Sequence, residues 1–262
     1  MSSEAPQLDI VIPVYNEGHN IVNTLAALAA QVHTPYRVLI CYDFDEDDTL
    51  TAIHEHGGFA NLQFVKNTAR GAHQAVLTGF QYGRSPHVLV YAADDDYNAG
   101  IVAGMLQKAK EGNDVVCASR FMRGGNMVGC PWLKAVLIRA ASFTLYHFAG
   151  MPTHDSSNGF RMFSRRLLDR VHIESRRGFT YSIELLAKCH RLGWSIAEVP
   201  AQWRERAHGQ SRFRVIHWLP AYLRWYFYIF ATRFLRRQPE SVPENLTKAE
   251  ILLSSRRETT LQ

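Results

Sequence analysis

An α/β fold, with a mostly parallel sheet covered by helices on both faces, is what this sequence predicts. Three observations carry it. Short apolar runs rich in β-branched residues alternate with helix-periodic segments through the first two-thirds of the 262 residues. A content of 47% hydrophobic and 20% charged residues is that of a folded domain with a sizeable core. Acidic residues then stand directly after two of the apolar runs, where sheets of this kind bind ligands beyond the carboxyl ends of their strands.

The elements follow in order. Residues 8–14 (LDIVIPV) read as a strand closed by Pro13 and the turn-prone Asn16. Ile21, Leu25 and Leu28 give residues 20–30 helical spacing. A second strand is predicted at 36–42, and a helix at 49–55 stopped by Gly57 and Gly58. Strands at 62–65, 88–91 and 114–118 alternate with helices at 71–80 and 99–110. From Pro131 the character changes: 131–151 is apolar and aromatic, broken by Lys134, Arg139 and His147. A loop and strand at 157–163, a helix at 181–191 and a strand at 194–199 come next. The aromatic stretch 215–235 contains His217, Pro220, Arg224 and Arg233, too many interruptions for a membrane span. Trp218, Tyr222, Trp225 and Ile229 share helical spacing within it. A helix lying in a membrane interface fits that pattern, with a core helix or an oligomer contact as the alternatives. Residues 238–262 read as a polar, mobile tail with a short helix near 248–253.

Charge is unevenly spread although the net value is only +5. Five of the six residues 43–48 are acidic, whereas 204–237 holds eight arginines and one acid, Glu205. One region can hold a cation and the other anions. Cys41, Cys117, Cys130 and Cys189 lie far apart without CxxC spacing, which argues against a disulfide scaffold or a zinc module. The first residues, MSSEAPQLDI, lack a basic stretch and an apolar h-region, so the cytosol is the expectation. Neither GxGxxG, GxxxxGK[ST] nor GxSxG occurs. A basic patch exists without a nucleic-acid reader motif, so no nucleic-acid partner is expected.

Asp94, Asp95 and Asp96 follow the apolar strand VLVYAA. Three adjacent carboxylates repel one another and favour a hard divalent ion, which takes oxygen ligands and bridges carboxylate to phosphate. Capping the helix that follows is the alternative reading. Asp43, at the end of the second strand, is aimed into the same crevice, while Asp45, Glu46, Asp47 and Asp48 read as a solvated turn and helix start. Arg206, His208, Gly209, Ser211 and Arg212 make a loop able to close over phosphates, arginine's planar fork binding oxygens in pairs; a solvated basic loop is the alternative.

These motifs together resemble family 2 glycosyltransferases of the GT-A fold, most closely the dolichyl- or polyprenyl-phosphate mannose or glucose synthase branch. The resemblance runs from residue 8 to 213 through VIPVYNEGHNI, KNTARGAHQAVLTGF, DVVCASRF, SSNGFRMFSRRLL, ELLAKCHRLGWSIAEVP and RERAHGQSR. It implies a GT-A catalytic domain over 1–212, an interface helix over 131–151 and a second, amphipathic one over 213–237. It implies that Pro13, Tyr15, Glu17 and Asp43 contact a nucleotide, that Asp94 is the principal ligand of Mg²⁺ or Mn²⁺, and that Asp96 takes the family's glutamine position. Arg120, Arg206 and Arg212 match positions near donor or acceptor phosphates. Two departures stand out: Ala92 replaces the first aspartate of D-x-D, and Tyr42-Asp43-Phe44-Asp45 replaces D-D-G-S.

The implied reaction moves a sugar from a nucleotide-diphosphate sugar to a polyprenyl phosphate with inversion, at the inner face of the cell membrane. Asp94 and Arg206 would carry the electrostatic part of the catalysis. A lipid phosphate is already ionised and needs no strong base; for a hydroxyl acceptor on a glycan, Asp155 is the candidate base. In that second reading the aromatic helices form a homo-oligomer contact. A membrane-associated binding protein that keeps nucleotide affinity without turnover is the third reading, and Ala92 favours it.

Overall fold

The computed structural model describes residues 5–204 and 215–245. Nine strands and eight α-helices occur among them: β1 Leu8–Pro13, α1 Gly18–Gln31, β2 Tyr36–Tyr42, α2 Asp48–Glu55, β3 Leu62–Lys66, α3 Ala72–Tyr82, β4 His87–Val90, α4 Val102–Lys110 and β5 Val115–Ser119. Then come β6 Asn126–Val128, α5 Trp132–His147, β7 Arg161–Ser164, α6 Arg165–Arg170, α7 Thr180–Arg191, β8 Ile196–Pro200, β9 Gln202–Arg204 and α8 Val215–Phe234. Seven strands form one sheet in the order β3-β2-β1-β4-β7-β5-β8. Only β7 is antiparallel to its neighbours. A parallel pair of three-residue strands, β6 and β9, makes a second sheet.

Alternation along the buried strands divides the core in two. Leu8, Ile10 and Ile12 of β1, with Val38 and Ile40 of β2, pack on the face that α1 and α4 cover. Val11, Leu39 and Cys41 face the other way, toward Val76 and Phe80 of α3 and the residues of α7 and α8. Gly79 is where α3 comes closest to the sheet: a Cβ there would collide with Val11 Cγ1.

Three sequence expectations change. The segment expected to be helical from 99 opens with a 3-10 turn, Ala99–Ile101, before α4 begins. In α8 the face carrying Tyr222, Trp225 and Ile229 turns inward rather than toward a headgroup layer. Trp225 and Ile229 are buried, and Trp225 Nε1 donates to Ser175 Oγ at 3.0 Å. The outward stripe is Leu219, Leu223, Phe227 and Phe234, spaced so that each lies above the last. Finally, residues 238–245 are not a free tail. Val242 is buried, and Asn245 Nδ2 donates to the carbonyls of Leu168, Asp169 and Val171 at the end of α6. The short helix expected near 248–253 lies outside the described residues. No helix among the described residues is long and apolar enough to cross a membrane.

Candidate active site

Parallel pairing brings the carboxyl ends of β1 to β4 side by side. Val14 N donates to Cys41 O, Asn67 N to Tyr42 O and Tyr91 N to Val11 O, each within 2.9 Å. The loop after β1 turns through Asn16 in the left-handed region, φ 52°. Carboxylates of the acidic stretch hold its backbone N–H groups. Asp47, fully buried, accepts from Asn16 N with both oxygens at 3.1 Å and caps α2 by accepting from Thr49 N. Thr49 Oγ1 accepts from Glu17 N, and Asp48 Oδ1 from Gly18 N at 2.9 Å. Asp47 and Asp48 therefore buttress the loop that carries Tyr15 and Glu17. Tyr15 leaves an exposed ring edge-on to Phe44, centroids 5.4 Å apart, an apolar floor at the crevice rim. Asp43 gathers the loops after β2 and β3: Oδ1 accepts from Asn67 Nδ2 and Oδ2 from Gly71 N, both at 2.8 Å.

The three consecutive aspartates separate by role. Asp95 is buried and accepts from Tyr97 N, Asn98 N and Asn98 Nδ2. Asn98 in turn exchanges two hydrogen bonds with the backbone of Gln202 in β9. Burial pushes the Asp95 carboxyl up to about 6, against the pull of those hydrogen bonds, and the charge of Asp94 adds to the rise. The helix-cap reading does not hold: neither the 3-10 turn from Ala99 nor α4 has a side-chain cap, and Asp95 instead closes the turn before them and, through Asn98, anchors β9. Asp94 is half-buried and Asp96 exposed beside it. Among the described residues no three His, Cys, Asp or Glu side chains are grouped to hold a metal ion. Ala92 offers no side-chain donor, so a divalent ion at this turn would meet Asp94 and Asp96 and need the rest of its oxygen shell from other groups, such as substrate phosphates.

At the end of β5 the sheet presents a different construction. Arg120 donates to Asp155 through its backbone N (3.0 Å), Nε (2.6 Å) and Nη2 (2.9 Å), and Nη2 also reaches Ser157 Oγ at 2.6 Å. Asp155 is fully buried and further accepts from Ser157 Oγ and Asn158 N. Burial alone would raise its pKa, but the Arg120 guanidinium and the hydrogen bonds prevail and hold it below the ordinary carboxylate value. Such a carboxylate is a poor proton acceptor. The side chain offered from sequence as a general base instead positions Arg120.

Arg120 lines a cavity of ≈380 Å³ between β5 and α5, together with Arg139, Phe143, Tyr146, His147 and His154. Arg139 lies over the Phe121 ring at 5.4 Å and forms no ion pair among the described residues. His154 stacks on Tyr146, centroids 4.0 Å apart, and its Nδ1 pairs with Glu198 Oε1 at 2.5 Å. In the sequence Arg139 and His147 read as interruptions of an apolar stretch, and a cation inside such a stretch is the signal that marks this cavity. Arg206 and Arg212 lie outside the described residues. The chain approaches that segment through β9, where Arg204 lies over Tyr97 at 5.0 Å, directly beside the 95–98 turn.

The strand order with its one reversed strand, and the loops gathered at the carboxyl ends of β1 to β4, define a GT-A-like fold. Solved structures agree. Glucosyl-3-phosphoglycerate synthase from Mycobacterium tuberculosis, in complex with Mn²⁺, UDP and glucosyl-3-phosphoglycerate, superposes with a TM-score of 0.61 at 17% identity, covering 87% of this chain and 80% of that one. Its complex with Mn²⁺, UDP-glucose and phosphoglyceric acid gives 0.60 at 18% identity, with the same coverage. The profile described as "Glycosyl transferase family 2" matches residues 9–171. The chain belongs to glycosyl transferase family 2 and is a glycosyltransferase. Polyprenol monophosphomannose synthase of Mycolicibacterium smegmatis is 28% identical over 215 residues, 78% of this chain and 79% of the relative. An uncharacterized glycosyltransferase of Mycobacterium bovis is 29% identical over 203 residues, 78% and 88%.

Proposed function

We propose that this glycosyltransferase moves a sugar from a nucleotide-diphosphate sugar to a polyprenyl-type lipid phosphate, with inversion, while seated on the inner face of the cell membrane. One observation carries the reading. The cavity holding Arg120 and Arg139 opens beside helices that leave Trp132, Leu133, Val136, Leu137, Leu223 and Phe227 exposed. A phosphate that arrives on a long apolar chain needs both a cationic seat and an apolar surface next to it. Similarity to a polyprenol monophosphomannose synthase supports the same acceptor class.

On this reading Tyr15 and Phe44 give the nucleobase an apolar floor, while Pro13, Glu17 and Asp43 shape the rest of the nucleotide pocket. Asp94 and Asp96 would hold Mg²⁺ or Mn²⁺, which supplies charge neutralisation for the diphosphate. Arg206 and Arg212 hold phosphate oxygens as negative charge develops on the leaving nucleoside diphosphate. Arg120, fixed by Asp155, and Arg139 orient the acceptor phosphate. One of its oxygens forms the bond to the anomeric carbon as the bond to the diphosphate oxygen breaks on the opposite face. A phosphate monoester has its second pKa near ~6, so its oxygen is already anionic at neutral pH. That removes the need for a base, which agrees with the engaged state of Asp155.

The test is transfer from UDP-, GDP- and dTDP-sugars with and without a polyprenyl phosphate. Lipid-phosphate-linked sugar as product is the expected result. Sugar on a hydroxyl acceptor only would overturn the acceptor assignment, and nucleotide binding without turnover under every condition would remove the reaction.

A further inference from the structure

A second cavity, of ≈640 Å³, lies past the carboxyl end of α5, walled by Ala149 and Gly150, by His190 of α7, and by Thr232, Arg233 and Arg236 where α8 ends. Its place follows from the topology. The loop into α7 meets the candidate site's side, where Gly178 O contacts His73 Nδ1. Twelve residues later, about 18 Å along the helix, its last turn leads into the amino end of β8, parallel to β5. The cavity shares no residue with the Arg120 cavity.

Its charges meet no counter-charge among the described residues. Arg191 nearby is fully engaged, donating to Thr232 Oγ1, Ser241 Oγ and Tyr228 O while lying 3.3 Å from the centre of the Tyr228 ring. Arg233 and Arg236 are exposed, and neither side chain forms a hydrogen bond or ion pair among the described residues. A cation in the last turn of a helix is ordinarily explained by the helix dipole. That explanation covers Arg233. It does not cover Arg236, which stands in the left-handed region at φ 47°, a position where glycine or asparagine usually ends a helix. Exposed apolar side chains adjoin the walls: Phe148 before Ala149, and Phe234 and Leu235 between the two arginines.

The geometry points to a second anion site, in which Arg233 and Arg236 clamp a phosphate-ester group and the flanking Phe148, Phe234 and Leu235 seat an attached apolar chain. The volume is that of a small-molecule pocket rather than of a bare ion. A phospholipid headgroup and a soluble phosphate ester share this chemistry. The site stands independently of the transfer reaction, because its test reads binding alone.

The experiment uses the full chain and a double variant, Arg233→Gln with Arg236→Gly. The glycine suits the left-handed backbone and the glutamine suits the helix, so the melting temperature should hold. A control, Lys108→Gln with Lys110→Gln on exposed α4 positions, removes equal charge elsewhere. Co-sedimentation is measured with phosphatidylcholine vesicles with and without phosphatidylglycerol, and calorimetric titration with glycerol 3-phosphate. At least tenfold weaker binding of one probe in the first variant, and unchanged binding in the control, is expected. If only the vesicle arm responds, the ligand is a lipid headgroup; if the glycerol 3-phosphate arm responds, the site takes a soluble phosphate ester. Equal weakening by both variants, no change in either arm, or no binding by the parent chain overturns the site.

Discussion

Along the carboxyl edge of β1 to β4, carboxylates are spent on backbone N–H groups: Asp47 on Asn16, Asp48 on Gly18, Asp43 on Gly71 and Asp95 on Asn98. Across the sheet, at β5, β7 and α7, carboxylates hold cations in addition to backbone N–H groups. Asp155 holds Arg120, and Glu184 holds Lys188, both partners fully buried in the second pair. The first construction fixes the shape of loops and leaves their side chains to meet a ligand. The second fixes a cationic side chain where a flexible one would wander. On the proposed reading, the shaped backbone would serve a nucleotide pocket and the fixed guanidinium a phosphate seat.

The largest effect should come from breaking the second construction. Asp155→Ala strands a buried guanidinium, and removing one partner of such a pair costs about 3–5 kcal/mol. Urea unfolding should show that loss along with collapse of transfer; Asp155→Asn, which keeps an acceptor, should lose less stability. Equal stability of Asp155→Ala and the parent chain would show that Arg120 does not depend on this carboxylate. Next in size is Asp94→Asn, which should lower kcat about a hundredfold, ~2.7 kcal/mol of transition-state stabilisation, with an unchanged melting temperature. Retained kcat in the presence of Mg²⁺ or Mn²⁺ would remove Asp94 from the site.

The same contrast explains what the sequence could and could not convey. Local periodicity marks β2 at 36–42 with the observed boundaries, and the β-α alternation implies the parallel sheet. Carboxylates at strand ends point to the crevice because topology alone puts them there. The reversed strand β7, lodged between β4 and β5, depends on tertiary pairing that no local pattern encodes. Strands β6 and β9 have three residues each and are largely exposed, so they carry no apolar run to find. Asp155 illustrates the harder failure. A carboxylate before a glycine-containing segment looks the same in sequence whether it accepts protons or holds an arginine 35 residues away. The aromatic face of α8 failed for a related reason: helical spacing reveals a stripe, but both sides of this helix are apolar, and only packing against α7 decides which is inward.

A smaller effect tests the first construction. Asp47→Ala removes the α2 cap and the acceptor for Asn16 N, which should cost about 1–2 kcal/mol and raise KM for the nucleotide sugar more than it lowers kcat. A purely structural buttress remote from the donor would leave KM untouched.

The finest distinction lies at Asp95, where the carboxylate that holds backbone also sits in an apolar setting. Its pKa is raised to about 6, so its contribution to stability is complete below the ordinary carboxylate range and is lost as pH rises through 6. Three buried or half-buried histidines run the other way. Burial lowers His73, His87 and His190, so their contribution is present above the ordinary histidine value and lost as pH falls. The raw pH profile therefore mixes two opposed slopes between pH 5 and 7, and only a difference isolates the aspartate. Relative to Asp95→Asn, the parent chain should gain about 1 kcal/mol of unfolding free energy as pH drops from 7 to 5, because the variant has no proton to take up at that position. A difference that stays flat across that interval would mean that the three hydrogen bonds keep Asp95 ionised throughout. Asp95 would then be a carboxylate whose charge is satisfied by the N–H groups of Tyr97 and Asn98 that it holds.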